Sequence, residues 1–162
     1  MIVVEEAPSH RHAMQEHLPI RHANSFYTGA SGGLGWALPA SVGIKLARPE
    51  RPALCLIGDG SAMYSPQALW SAVESDAPIV VVVLNNGGYG AMKGFAALTS
   101  ATGGPSYDIG HLDLAALATA QGCDAARVAT PSELEVALER AFASNRPTLI
   151  NISLRAEAPT FA

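Results

Sequence analysis

The run Ile79-Val80-Val81-Val82-Val83-Leu84 constrains this chain more than any other segment. It is apolar at every position, with no polar residue at alternate places. A strand of that kind must be covered on both faces, which places it in the middle of a parallel sheet with helices above and below. Five further short runs share its β-branched or apolar character: Ile2 to Glu5, Ser25 to Thr28, Ala53 to Ile57, Ala125 to Val128 and Thr148 to Ser153. Between them lie helical patterns, so the predicted fold class is α/β: a doubly wound, six-stranded parallel sheet with helices on both faces.

The clearest helix runs from Pro131 to about Ser144. Thr130 is its N-cap, Pro131 its first residue and Glu133 the partner in a capping box. Leu134, Ala137, Leu138, Ala141 and Phe142 mark its expected buried face. Asp113 caps a second helix, Leu114 to Gln121, which Gly122 closes. Two more span about Pro39 to Ala47 and Gln67 to Glu74. Two stretches resist the pattern. One is Gly29 to Gly35; the other is Asn85 to about Gly110, whose glycines, with Gly103 and Gly104 among them, suggest partial mobility.

With 162 residues, 49% hydrophobic and 15% charged, the chain suits one ordinary domain, residues 1–162. A net charge of −4 and only ten scattered Lys and Arg argue against a nucleic-acid partner. No apolar run approaches the roughly 20 residues that cross a bilayer, and Met1 to Pro8, with Glu5 and Glu6, lacks a signal pattern. Cys55 and Cys123 read as buried free thiols. The expected setting is cytoplasmic.

The chemistry concentrates where strands end. Gly58-Asp59-Gly60-Ser61 follows Ala53 to Ile57, at the carboxyl end where α/β sheets bind ligands. The glycines permit a tight turn and close approach, and the amides beyond Gly60 suit a phosphate. Asp59 would repel that phosphate unless a cation stood between them. Asn85-Asn86-Gly87-Gly88 ends the adjacent strand, with Asn86 standing 27 residues after Asp59. An Asp carboxylate, an Asn side-chain oxygen and a loop carbonyl are hard oxygen ligands of the kind Mg²⁺ prefers, with Ca²⁺ as a substitute ion. Neither loop holds the Cys or His that would favour zinc.

Gly58-Asp59-Gly60, 24 residues, then Asn85-Asn86 resembles the signature of the thiamine-diphosphate-dependent enzymes, and the likeness extends over nearly the whole chain. The resemblance implies metal ligation by Asp59, Asn86 and the Gly88 carbonyl. It implies that Ser61 and Tyr89 lie at the diphosphate of thiamine diphosphate, with Gly58 and Gly60 also binding the cofactor. It also implies that Gly32-Gly33-Leu34-Gly35 bears the aminopyrimidine, with Leu34 as an apolar wedge and the Gly32 carbonyl as an acceptor. Within the family the likeness is to the benzoylformate decarboxylases, through Gly29 to Pro39 and Asn85 to Phe95. There Ala91, Met92 and Phe95 would line a pocket for a 2-oxo acid, an aromatic one being suited. Gly88 and Gly94 depart from that pattern, standing where larger side chains are expected.

The same resemblance implies a missing half. The acidic residue that serves the pyrimidine ring comes from a separate pyrimidine-binding domain, and a middle domain is absent too. No catalytic residue is therefore assigned to this chain, which reads as a small subunit, an excised domain or a gene fragment. Turnover alone is expected to be negligible, and a homo-oligomer is expected because former domain interfaces would be exposed.

Rival readings remain. Gly33-Leu34-Gly35 and Gly58-Asp59-Gly60 each begin a dinucleotide fingerprint, but Leu38 and Met63 replace the third glycine. A related thiamine-diphosphate lyase, an acetolactate-synthase-type domain, a non-catalytic cofactor-binding module and a self-associating structural fragment are the alternatives. His10, His12, His17 and His22 follow spacings that do not repeat at a helical interval. They read as a solvated surface or partner interface. Met92, Phe95 and Trp70 have helical placements more often found in cores than in pockets.

Overall fold

The computed structural model describes residues 1–101, 104–110 and 112–156. Six strands form one all-parallel sheet: β1 (Ile2–Glu6), β2 (Phe26–Thr28), β3 (Ala53–Gly58), β4 (Ile79–Asn85), β5 (Asp124–Val128) and β6 (Thr148–Ser153), in the order β2-β1-β3-β4-β6-β5. The expected α/β architecture is the observed one, and the all-apolar run is β4, between β3 and β6.

Side chains alternate across each strand, so one sequence feeds two cores. On one face Val4, Cys55, Ile57, Ile79, Val81 and Val83 pack with residues of α2 (Ala37–Ala47), of the four-residue α3 (Asp59–Ala62) that follows β3, and of α4 (Ala68–Glu74) and α6 (Leu114–Ala120). On the other, Val3, Leu54, Leu56, Val80, Val82 and Ile150 meet Met14 of α1 (Arg11–His17) and Leu134, Ala137, Leu138 and Ala141 of α7 (Pro131–Ala143). The residues of β4 are buried on both faces, which is why none of them alternates with a polar residue.

Helix ends follow local chemistry. Thr130 and Glu133 form the capping box on α7, and the Asp113 carboxylate accepts from the Ala116 N–H. Gly122 closes α6 at φ +88, a conformation that costs glycine little. Phe142 corrects the sequence reading: it is 40% exposed, in the last turn of α7, while the four residues preceding it on the stripe pack inward. Cys55 and Cys123 are free and buried, and burial pushes their thiols up to about 12 and about 11, which disfavours the thiolate.

The Asn85 to Gly110 stretch also corrects the sequence reading. It contains a nine-residue helix, α5 (Gly90–Leu98), with Gly90 and Gly94 buried. After it, residues 104–110 return to pair with the loop that precedes α5; Gly103 lies outside the described residues. The Tyr89 N–H donates to the Tyr107 carbonyl at 2.8 Å, and the Ile109 N–H to that of Gly87 at 3.1 Å. Among the described residues no helix is long and apolar enough to cross a membrane.

Candidate functional site

The chain leaves β1 for β2 on one side and returns to β3 on the other, so strand order reverses between β1 and β3. Crevices at the carboxyl ends of strands on either side of such a reversal are where open α/β sheets take ligands. A cavity of about 150 Å³ lies there.

Asp59 and Asn86 reach it from adjacent strands. β3 and β4 run in register, with Gly58 opposite Leu84, so the next residues of both leave the sheet together. Of the two asparagines, Asn85 serves the scaffold. Its amide donates to Asn151 Oδ1 of β6 at 3.0 Å, and its oxygen accepts from the Gly87 N–H at 3.1 Å. Asn86, 5% exposed, is left to face the cavity.

The Asn86 side-chain oxygen there faces only acceptors. Turned over, the amide would donate to Asp59 Oδ1 at 3.2 Å and to the Gly88 carbonyl at 2.7 Å. A carboxylate, an amide and a backbone carbonyl thus converge on one point. That point is stable either with the amide NH₂ turned in or with a cation among three oxygens. Hard oxygen donors at this spacing fit Mg²⁺.

Burial pushes the Asp59 carboxyl upward, and the backbone N–H groups of Gly60, Gly87 and Gly88 pull part of that back. The ring of Tyr89 packs on Gly60, where a Cβ would lie 2.5 Å from Tyr89 Cε1 and 2.9 Å from Ile109 Cδ1. Burial also pushes the Tyr89 phenol upward, with the Tyr64 phenol and the Asp59 carboxylate adding to it. Gly88 has an equally plain reason for lacking a side chain: its Cβ would fall on the Tyr107 carbonyl oxygen, at 2.4 Å.

The residues expected to hold the metal, the cofactor and the substrate line this one cavity: Gly58 at the end of β3 with Asp59, Gly60 and Ser61 just after it, Asn86, Gly88 and Tyr89 from the β4 turn, Gly32 and Leu34 from the glycine loop, and Ala91, Met92 and Phe95 from α5. Met92 and Phe95 are each 47% exposed and Trp70 55%, so none of the three is core.

Ala7, Pro8, Ser9, His10 and Leu84 complete the lining and were not foreseen. His10 is a correction. Rather than lying on a solvated surface, it is half-buried at the end of β1, its Nδ1 has no hydrogen-bond partner, and desolvation holds its pKa below the ordinary value. The signal was available, because residues 7–10 follow a strand's carboxyl end just as Asp59 does. His12 instead pairs with Glu16 on exposed α1, and His17 and His22 are exposed. Ser9 Oγ accepts from the Ala91 N–H at 2.9 Å, tying this turn to α5.

A larger groove of about 670 Å³ lies between β5 and α7; of its carboxylates, Asp124 accepts from Arg146 and Glu133 from the Ala129 N–H.

Comparison with known proteins points to one family. The family described as thiamine pyrophosphate enzyme, C-terminal TPP binding domain, matches residues 7–152. Benzoylformate decarboxylase of Pseudomonas aeruginosa is 41% identical over 98% of this chain and 30% of its own length. The acetolactate synthase large subunit of Haemophilus influenzae is 35% identical over 78% of this chain and 22% of its own. Among solved structures, benzoylformate decarboxylase from Polynucleobacter necessarius superposes with a TM-score of 0.96 at 36% identity, covering 99% of this chain and 31% of that one. A Rhodococcus jostii thiamine diphosphate-dependent 4-hydroxybenzoylformate decarboxylase gives 0.92 at 41% identity, covering 95% and 29%. The chain spans less than a third of each of these relatives. It belongs to the C-terminal, thiamine-pyrophosphate-binding domain family of the thiamine pyrophosphate enzymes.

Proposed function

We propose that this chain holds thiamine diphosphate through a Mg²⁺ ion on Asp59, Asn86 and the Gly88 carbonyl, as the cofactor-diphosphate half of a 2-oxo acid decarboxylase. The observation that carries the reading is the convergence of the Asp59 carboxylate, the Asn86 side-chain amide and the Gly88 carbonyl in one cavity, a group whose oxygens suit a divalent cation. Gly58, Gly60, Ser61 and Tyr89 would bound the diphosphate, and Gly32 and Leu34 would meet the aminopyrimidine. When bound, the cofactor supplies carbanion stabilisation beside a 2-oxo carbonyl.

Ala91, Met92 and Phe95 extend the cavity with an apolar wall. Such a wall suits the ring of an aromatic 2-oxo acid, and benzoylformate appears in the names of relatives matched over nearly the whole chain. No group in the cavity is assigned as the acid for the pyrimidine ring, a role given to a pyrimidine-binding domain or subunit. Met63 and Tyr64, exposed beside the glycine loop, and Met92, Phe95 and Leu98 on α5 leave apolar surface for such a partner and for homo-oligomer formation. Kinship with acetolactate synthase supports a second reading, a synthase-type domain using the same cofactor site.

Calorimetric titration with thiamine diphosphate tests the site: binding should require Mg²⁺ and be lost in Asp59→Ala. Binding that survives both metal removal and the substitution refutes the bridged-metal reading. Steady CO₂ release from a 2-oxo acid by the chain alone would refute the assignment of half a site.

A further inference from the structure

Helix α2 begins without a capping side chain of its own; its N-cap residue is Trp36. A Ser, Thr, Asp or Asn beside the helix start ordinarily supplies the acceptor. Here it comes from β1, about thirty residues earlier. Glu6 Oε1 accepts from the Gly35 N–H at 2.6 Å, and Oε2 from Trp36 at 2.9 Å and Ala37 at 2.7 Å. Glu6 is 2% exposed, and a carboxylate at that depth persists only with its oxygens satisfied. A local cap would start the helix without burying a charge. The long-range bonds add a fixed distance between the end of the glycine loop and the end of β1, whose next residues wall the cavity.

The same point is held from the opposite side. Ser65 Oγ donates to the Gly35 carbonyl at 2.8 Å. Gly35 itself sits at φ +98, and a Cβ there would lie 2.7 Å from Tyr64 Cβ. The Trp36 indole packs on Gly29, where a Cβ would meet Nε1 at 2.7 Å, so the loop closes on itself. Ser31 to Gly33 are exposed by contrast, with a 3.4 Å bond from the Gly33 N–H to Ser31 Oγ. Leu34 stands where the pinned part begins.

We propose that Glu6 is a positioning residue for the aminopyrimidine end of the cofactor: its carboxylate fixes the Leu34–Gly35 end of the glycine loop so that Leu34 meets the ring, and it takes no part in holding the diphosphate. The proposal rests on the metal–diphosphate reading of the cavity.

The test compares two ligands on the full chain by calorimetry, each with excess Mg²⁺: thiamine diphosphate, and inorganic pyrophosphate, which lacks the ring. Glu6→Gln puts an NH₂ group against backbone donors, so affinity for thiamine diphosphate should fall by about tenfold or more. Pyrophosphate affinity should stay within about twofold, because its contacts are elsewhere. Glu6→Asp keeps the charge with a shorter reach and should show the same split at smaller size. It decides the matter if the Gln variant fails to fold by circular dichroism. A role in general stability would weaken both ligands alike. Equal losses for the two ligands, or none for either, overturn the positioning role while leaving the cofactor site standing. A wild-type chain that binds neither ligand removes that site and this proposal together.

Discussion

The Asp59 carboxylate and the Asn86 amide, 27 residues apart in sequence, meet across the ends of two neighbouring strands, 3.2 Å apart once the amide is turned to donate. Local signals at each strand end and one register produce the contact.

Asp59 carries a cost when no cation is present. Its raised pKa means that the ionised form is disfavoured in the fold, a penalty felt above the ordinary carboxylate range. Asp59→Asn should therefore melt no lower than wild type at pH 7 without metal. Wild type should gain about 2.7 kcal/mol from cofactor and Mg²⁺ at a hundredfold excess over the dissociation constant, and the variant almost none. Differential scanning fluorimetry with and without Mg²⁺ reads both effects.

Gly88→Ala would place a methyl group 2.4 Å from the Tyr107 carbonyl oxygen, against backbone that cannot rotate away. The expected result is about 1–3 kcal/mol of destabilisation. Hydrogen exchange should lose its protection at the Tyr89 N–H, which donates to that carbonyl.

Glu133 gives a pH dependence with a definite sign. Hydrogen bonds from the Ala129 and Thr130 N–H groups hold its carboxyl below the ordinary 4.5. Its contribution is therefore present above that value and lost as pH falls through the lowered one. Glu133→Gln should melt below wild type at pH 7, and the two should converge under acid conditions that protonate the carboxylate.

Light scattering at high concentration should show self-association that Tyr64→Ser and Leu98→Ser reduce, since these side chains are 59% and 64% exposed. A monomer at all concentrations would contradict the proposed homo-oligomer.

The strands were legible because β-branched runs between turn residues specify themselves locally, and Asp59 and Asn86 because each follows such a run. Only the helical placement of Met92 and Phe95 marks helix α5 in the sequence, because its glycines obscure it. Gly90 and Gly94 signal loop in isolation, yet both are buried in the helix. The spacing of His10 from the other histidines carries no signal of a site; its place just after β1 does. Glu6 could not be read at all: its partners lie 29 to 31 residues away, and only the completed sheet brings them near.

The pairing of residues 87–89 with 107–109 divides the labour of the cavity between two kinds of atom. On the proposed metal side the decisive groups include a carbonyl and a turn with no room for a Cβ; on the α5 side they are the replaceable side chains Met92 and Phe95. A lineage could thus reshape the apolar wall of the cavity by altering two exposed residues, while the opposite side stayed fixed by Asp59, Asn86 and a backbone turn that admits no side chain.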